Sequence, residues 1–167
     1  MDISLYLMNF LQYRLVEKPR FINLYIADFY EKDLVEIIIS DNASRMNELD
    51  KDMPRAFLNL KKFCDTSNGQ LKHLYHRKDT SVQMSWPITA GDVPIVLGDF
   101  LSLYGMLVLS HPEIDFVFTY LSTKGEYVFR SADLFKAFDK EELLEKDTIA
   151  IFNNLLHESV DALSVVL

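Results

Sequence analysis

The sequence predicts a mostly helical α+β domain that contains one β-hairpin near residues 116–129. The stretch Asp92–Ser110 is apolar on nearly every face, which is typical of a central helix covered by other helices. The chain has only five glycines, too few for the many tight turns of a β-sandwich or barrel. Its length of 167 residues fits one domain, so we expect a single domain over residues 1–167.

The first part of the chain is predicted to be helical. Ile3–Lys18 has apolar residues at i, i+3 and i+4 spacing, interrupted only by Arg14, and Pro19 ends this helix. Phe21–Tyr30 continues the same spacing and predicts a second, shorter helix. Lys32–Ile39 fits either a helix end or a buried strand, and we favour the helix because no turn signal interrupts the segment.

A clearer helix is predicted in the middle of the chain. Asp52 can cap it and Pro54 fits its first turn, before five residues expected to point inward, namely Phe57, Leu58, Leu60, Phe63 and Cys64. Thr66–Gly69 is a strong stop signal. Gln70–Lys78 then reads as a short basic helix or an extended arm, and Asp79–Gly91 as a polar connection.

The hairpin is predicted from strand-forming residues on both sides of a turn. Phe116–Leu121 and Tyr127–Phe129 are rich in aromatic and β-branched residues, and a polar segment with one glycine separates them. Ser131 is expected to cap a further helix, and Asp147 to open the last one.

Charge is distributed unevenly along the chain, whose formal net charge is −8. Residues 1–54 carry a net −4, residues 55–78 a net +5, and residues 79–167 a net −9. An acidic balance disfavours general nucleic-acid binding, because cations must neutralise the phosphates. It favours a basic protein partner, which an acidic surface would attract.

The sequence offers little for a metal site or a nucleic-acid site. His73 and His76 are three residues apart and could share one helix face, but no third ligand follows at suitable spacing. We therefore expect no metal and no cofactor. The basic 55–78 segment, with Tyr75 as a stacking residue, leaves RNA contact open as a less favoured alternative.

Catalytic and targeting motifs are absent from the sequence. It contains no G-x-S-x-G, glycine-rich phosphate loop or H-E-x-x-H, and Cys64 is interpreted as core packing, so we expect a protein that is not an enzyme. The N-terminus lacks the basic region of a signal peptide. The apolar run Val93–Leu109 is short for a membrane span and contains Asp99. We expect a cytoplasmic protein without membrane contact.

Acidic side chains form the candidate partner-binding surface. Five carboxylates occur within nine residues, at Asp139, Glu141, Glu142, Glu145 and Asp147. They form either a solvated helix face or a docking surface for a basic protein. Glu113 and Asp115 precede the hairpin, whose Phe116, Phe118 and Tyr127 are the expected apolar anchors of that surface.

The acidic composition over the whole length, the Asp139–Asp147 cluster and the Glu113-Ile114-Asp115 segment resemble bacterial toxin-immunity proteins of the contact-dependent growth-inhibition type. The resemblance implies a non-catalytic cytoplasmic inhibitor that binds and neutralises a toxin domain, often a basic nuclease. Two alternatives stay open, namely a helical scaffold or regulatory subunit of a larger assembly, and an enzyme with an unrecognised site near the hairpin.

Overall fold

A six-stranded mixed β-sheet with helices packed on one face forms the centre of the molecule. A computed structural model of the chain describes residues 3–29, 34–43, 55–76, 79–87, 97–122 and 125–133. Because several segments expected as helix or loop are strands, the prediction of a mostly helical domain with one hairpin is wrong. The fold is α/β.

Three helices and six strands follow one another along the described chain. They are α1 (Ser4–Val16), β1 (Phe21–Phe29), β2 (Leu34–Asp41), α2 (Arg55–Thr66), β3 (Gln70–His76), β4 (Asp79–Pro87), α3 (Leu97–Ser110), β5 (Asp115–Ser122) and β6 (Gly125–Arg130). The spatial order is β3-β4-β2-β1-β5-β6. β1 and β5 run parallel, whereas the other neighbouring strands are antiparallel.

β1 occupies the segment expected to be the second helix. Ile22, Leu24 and Ile26 are buried under the helices, whereas Asn23 between them is exposed. This alternation is the period of a strand with one face in the core. The pattern is obscured because Tyr25, on the outer face, is also apolar in character, so both helical and strand spacing fit the sequence.

β2 and β4 differ from two further predictions made from the sequence. Within the segment Lys32–Ile39, the described residues 34–39 lie in β2 and not in a helix end, so the strand alternative is the one adopted. The expected polar connection after residue 78 is largely β4, in which Val82, Met84 and Trp86 are buried in alternation with half-buried polar residues. β3 shows that the extended alternative for Gln70–Lys78 is the one adopted over residues 70–76.

The helices α1 and α2 and the β5–β6 hairpin confirm the corresponding sequence predictions. Of the five residues expected to face inward in α2, Leu58 is an exception, since 46% of it is exposed. The stop after α2 is a tight bend in which Asn68 has a φ of 59°. Trp86 donates from Nε1 to Ser67 Oγ at 2.8 Å and leaves no room for a Cβ at Gly69, which fixes this bend against β4.

α3 covers the β5–β6 end of the sheet. Tyr104 packs edge-on against Phe116 at a ring distance of 5.7 Å. The expectation that this helix is buried on nearly every face is wrong, because Leu103 and Met106 are 47% and 63% exposed. Its buried side faces the sheet, and the predicted start at residues 92–96 lies outside the described residues.

Arg14, the polar break in the apolar spacing of α1, is buried in an ion pair. Its Nε and Nη2 donate to the two carboxylate oxygens of Asp41 at 2.8 and 2.7 Å. Asp41 Oδ1 also accepts the N–H of Ala43 at 2.9 Å. The pair joins the last turn of α1 to the end of β2. The polar residue that interrupts the apolar spacing of α1 therefore makes a buried contact between helix and sheet.

Candidate functional site

The sheet face opposite the helices is the candidate site. None of the described helices packs on it, and its side chains alternate along the strands with those of the core. We call it the open face. In β2, β1, β5 and β6 its members form three rows across the strands. They are Glu36, Ala27, Leu121 and Glu126 in row one, Ile38, Tyr25, Thr119 and Val128 in row two, and Ser40, Asn23, Val117 and Arg130 in row three.

An open groove of about 610 Å³ lies over the second and third rows. Its lining combines aromatic and aliphatic side chains with hydroxyl, amide and charged groups, and includes Phe21, Asn23, Tyr25, Ile38, Ser40, Asp115, Val117, Thr119 and Arg130. Tyrosine supplies large contact area at low entropic cost, and small polar side chains supply adaptable hydrogen bonds. This mixture suits contact with another macromolecule.

The hydroxyl of Tyr25, on the open face, is affected by two carboxylates of the same face. Partial burial raises the pKa of its hydroxyl, and the negative charges of Glu36 and Glu126 raise that pKa further. The two carboxylates therefore act on Tyr25 from strands on opposite sides of β1. Gln83 Nε2 donates to Glu36 Oε2 at 2.8 Å, which holds this carboxylate in place beside β4.

The residues predicted as partner contacts occupy different environments. Phe116 and Phe118 are 0% exposed and Tyr127 is 8% exposed, so these three belong to the core under α3 and offer no docking area. Asp115 is exposed and lines the groove. Glu113 is exposed in the turn before β5, with its Oε1 3.6 Å from His111 Nδ1. The cluster Asp139, Glu141, Glu142, Glu145 and Asp147 lies outside the described residues.

Sequence reasoning missed Tyr25, Glu36, Gln83 and Glu126 as site residues. These four residues lie on β1, β2, β4 and β6. The sequence predicts helix or loop for three of those strands, so it could not bring the residues together. The alternation of Val82, Met84 and Trp86 with polar residues was the local signal for β4.

The described residues offer no group of three side chains that could hold a metal ion. His73 lies in β3 and packs against Phe57 at a ring distance of 5.7 Å. The helical spacing that suggested a pair with His76 does not apply in a strand, where side chains alternate between faces. Burial raises the pKa of the Cys64 thiol to about 12, so this thiol is neutral at physiological pH and a poor nucleophile.

The described lysines of the basic 55–78 segment lie on different sides of the sheet. Lys61 and Lys62 are exposed on α2, in the helical layer. Lys72 pairs with Gln83 in the strand register and lies on the open face instead. These three lysines therefore do not line one common groove along which a nucleic-acid backbone would run.

Comparisons with known proteins concern the fold alone. No protein-family model and no curated protein matches the chain. Among solved structures, the chain is similar to the topoisomerase IV ATP-binding domain of Francisella tularensis in complex with a small-molecule inhibitor. The TM-score is 0.50 and the sequence identity is 10%, and the match covers 76% of this chain and 86% of that chain. None of the helices in the described ranges has the length and hydropathy needed to cross a membrane. The chain thus shares a fold with an ATP-binding domain.

Proposed function

We propose that the chain is a non-catalytic, cytoplasmic inhibitor that binds a basic protein domain, such as a toxin or nuclease, and blocks it. The observation that carries the proposal is the open face, where Tyr25 lies between Glu36 and Glu126 beside a groove of mixed polarity. Basic side chains complement Glu36 and Glu126 in charge, and Tyr25, Ile38 and Val117 offer apolar contact.

Charge and contact area contribute differently to such a complex. The net charge of −8 attracts a basic partner over a long range and speeds encounter, an effect that salt weakens. Affinity then depends on the area buried around an aromatic anchor. Tyr25 is the best-placed anchor on the open face, because it is half-buried at the centre of the second row.

The non-catalytic part of the proposal rests on the sequence. The glycine-rich phosphate loops G-x-G-x-x-G and G-x-x-x-x-G-K-[ST] place their glycines two to five residues apart, whereas the five glycines here are at least seven residues apart. ATP binding by the Francisella domain is therefore not carried over to this chain.

The proposal is tested by retaining partners on the tagged chain in lysate of its native host and identifying them by mass spectrometry. The purified partner should be basic, and its enzymatic activity should fall to zero at one equivalent of the chain. A retained partner with full activity in the presence of excess chain contradicts the inhibitor function.

The electrostatic contribution is tested with the charge-removing variant Glu36→Gln/Glu126→Gln. We expect slower association with the purified partner and a weaker dependence of the association rate on salt, because charges at the rim of an interface act mainly on encounter. Glu17→Gln/Asp65→Asn removes the same charge from exposed positions in the helical layer and serves as the matched control.

A further inference from the structure

Glu36 and Glu126 are placed symmetrically about the middle of the first row. Between them lie Ala27 of β1 and Leu121 of β5, so three strand spacings separate the two carboxylate-bearing backbones. At about 4.8 Å per spacing the separation is about 14 Å. Ala27 is the smallest side chain of the row and is covered, at 1% exposure, whereas Glu36 is half-buried and Glu126 is exposed.

Tyr25 lies one pleat along β1 from Ala27, on the same face. In the strand order β1 lies between β2, which carries Glu36, and β6, which carries Glu126. Burial raises the pKa of the Tyr25 hydroxyl, and the negative charges of both carboxylates raise it further. Its ring is only partly covered, and a tyrosine ring attracts a cation over its face. Neither Glu36 nor Glu126 has a lysine or arginine within ion-pair distance among the described residues.

We infer, on the basis of the proposed function, that the open face recognises two cationic side chains of one partner helix or segment, spaced about 14 Å apart. One cation binds at Glu36 and the other at Glu126, and the partner's backbone passes over Tyr25. Gln83 is a positioning residue, since its amide fixes Glu36 for this contact.

The spacing distinguishes this mode of recognition from general attraction to an acidic protein. On a helix, residues 11 positions apart share a face and are separated by about 16.5 Å, whereas residues four apart are separated by about 6 Å. The first pair can reach both carboxylates with relaxed arginine side chains, whereas the second pair must splay its side chains in opposite directions, which costs conformational entropy.

Two synthetic helical peptides of identical composition, each with two arginines, serve as probes. The arginines are 11 positions apart in the wide peptide and four apart in the close peptide. Binding to the full chain is measured by amide shifts in ¹⁵N NMR titrations. We expect the wide peptide to bind about 2- to 5-fold more tightly, the contribution of one exposed ion pair, with the largest shifts in β1, β2, β5 and β6.

Variants of the chain test which side chains produce the preference for the wide peptide. Glu36→Gln/Glu126→Gln should abolish the preference for the wide peptide, and Gln83→Ala should reduce it, whereas the matched control Glu17→Gln/Asp65→Asn should retain it. Equal binding of the two peptides by the wild-type chain, or equal loss in the control, overturns the inference.

Failure of this inference is separate from failure of the proposed function. If Glu36→Gln/Glu126→Gln inhibits the native partner with unchanged affinity, the two-cation site is wrong and the inhibitor function stands. If the wild-type chain inhibits no basic partner, the proposed function itself is wrong, whatever the peptides show.

Discussion

At the scale of single residues, the contact with the largest expected effect on stability is the ion pair between Arg14 and Asp41. Both side chains are almost completely buried, at 1% and 2% exposure, and the pair is bidentate. Burying two charges costs desolvation energy that their attraction only partly offsets. The pair is therefore better explained as fixing how α1 meets the end of β2 than as a source of net stability.

We expect Asp41→Ala to lower the free energy of unfolding by about 3–5 kcal/mol, because it leaves the Arg14 charge buried without this partner. The double variant Arg14→Met/Asp41→Leu should lose much less, since no buried charge remains. Urea denaturation measures both, with exposed Asp65→Asn as control. If Asp41→Ala costs no more than this control, the pair does not restrain the fold.

A second residue-scale prediction concerns pH. The thiol of Cys64 has its pKa raised from 9.0 to about 12 by burial and, to a smaller degree, by Asp65. Between these values the unfolded chain loses the proton and the folded chain keeps it, so stability falls as pH rises from about 9 toward 12.

Cys64→Ala serves as the comparison, because it lacks this titration while other groups still titrate. The difference in unfolding free energy between the wild type and this variant should shrink between pH 8 and 11, as followed by denaturation at each pH. A constant difference over that range would show that the thiol is not protected by the fold. Slow reaction of the native thiol with an alkylating reagent is expected alongside.

At the scale of elements, β1 joins the two antiparallel parts of the sheet, since it pairs antiparallel with β2 on one side and parallel with β5 on the other. Leu24 at its centre is 1% exposed. Leu103 on α3, in the stretch expected to be central, is about half exposed. The buried centre of the molecule is thus the inner face of the sheet together with the sides of the helices that contact it.

Leu24→Ala should therefore cost about 2–5 kcal/mol of unfolding free energy, whereas Leu103→Ala should stay within about 0.5 kcal/mol. Both substitutions remove the same atoms, so chemical denaturation compares burial directly. Equal costs would return α3 to the central position that the sequence suggested.

Local signals were sufficient for α1, α2 and the β5–β6 hairpin, where periodicity and turn residues agree. They failed for β1, because Phe21, Leu24 and Tyr25 also fit helical spacing. They failed for the site because it joins residues from strands far apart in sequence. Among the predicted contacts, Asp115 lines the groove, whereas the hairpin aromatics Phe116 and Phe118 are strand residues that face the core.

At the scale of the whole molecule, the two sides of the sheet have different roles. One side forms the core with α1, α2 and α3, and the other presents the open face. Glu36→Gln and Glu126→Gln keep the size of each side chain, so they should affect recognition while leaving stability nearly unchanged. This separation makes the binding variants described above interpretable.

The parallel pairing of β1 with β5 joins two parts of the sheet, each of which comes from one contiguous part of the chain. Phe21 and Asp115 are partners in the sheet, although the intervening chain includes two helices and three strands. The segment before residue 88 contains β3-β4-β2-β1, and the segment after residue 96 contains β5-β6. Each is a contiguous antiparallel unit, and the ladder between β1 and β5 joins them.

A chain cut between residues 91 and 92 should consequently behave as two complementary fragments. Each fragment alone exposes a strand edge and half of the core, so we expect it to be poorly folded. Mixed together, the fragments should regain the circular dichroism of the intact chain at a midpoint that depends on their concentration. The same ladder that holds the native sheet together would then act as an intermolecular interface between two halves of one protein.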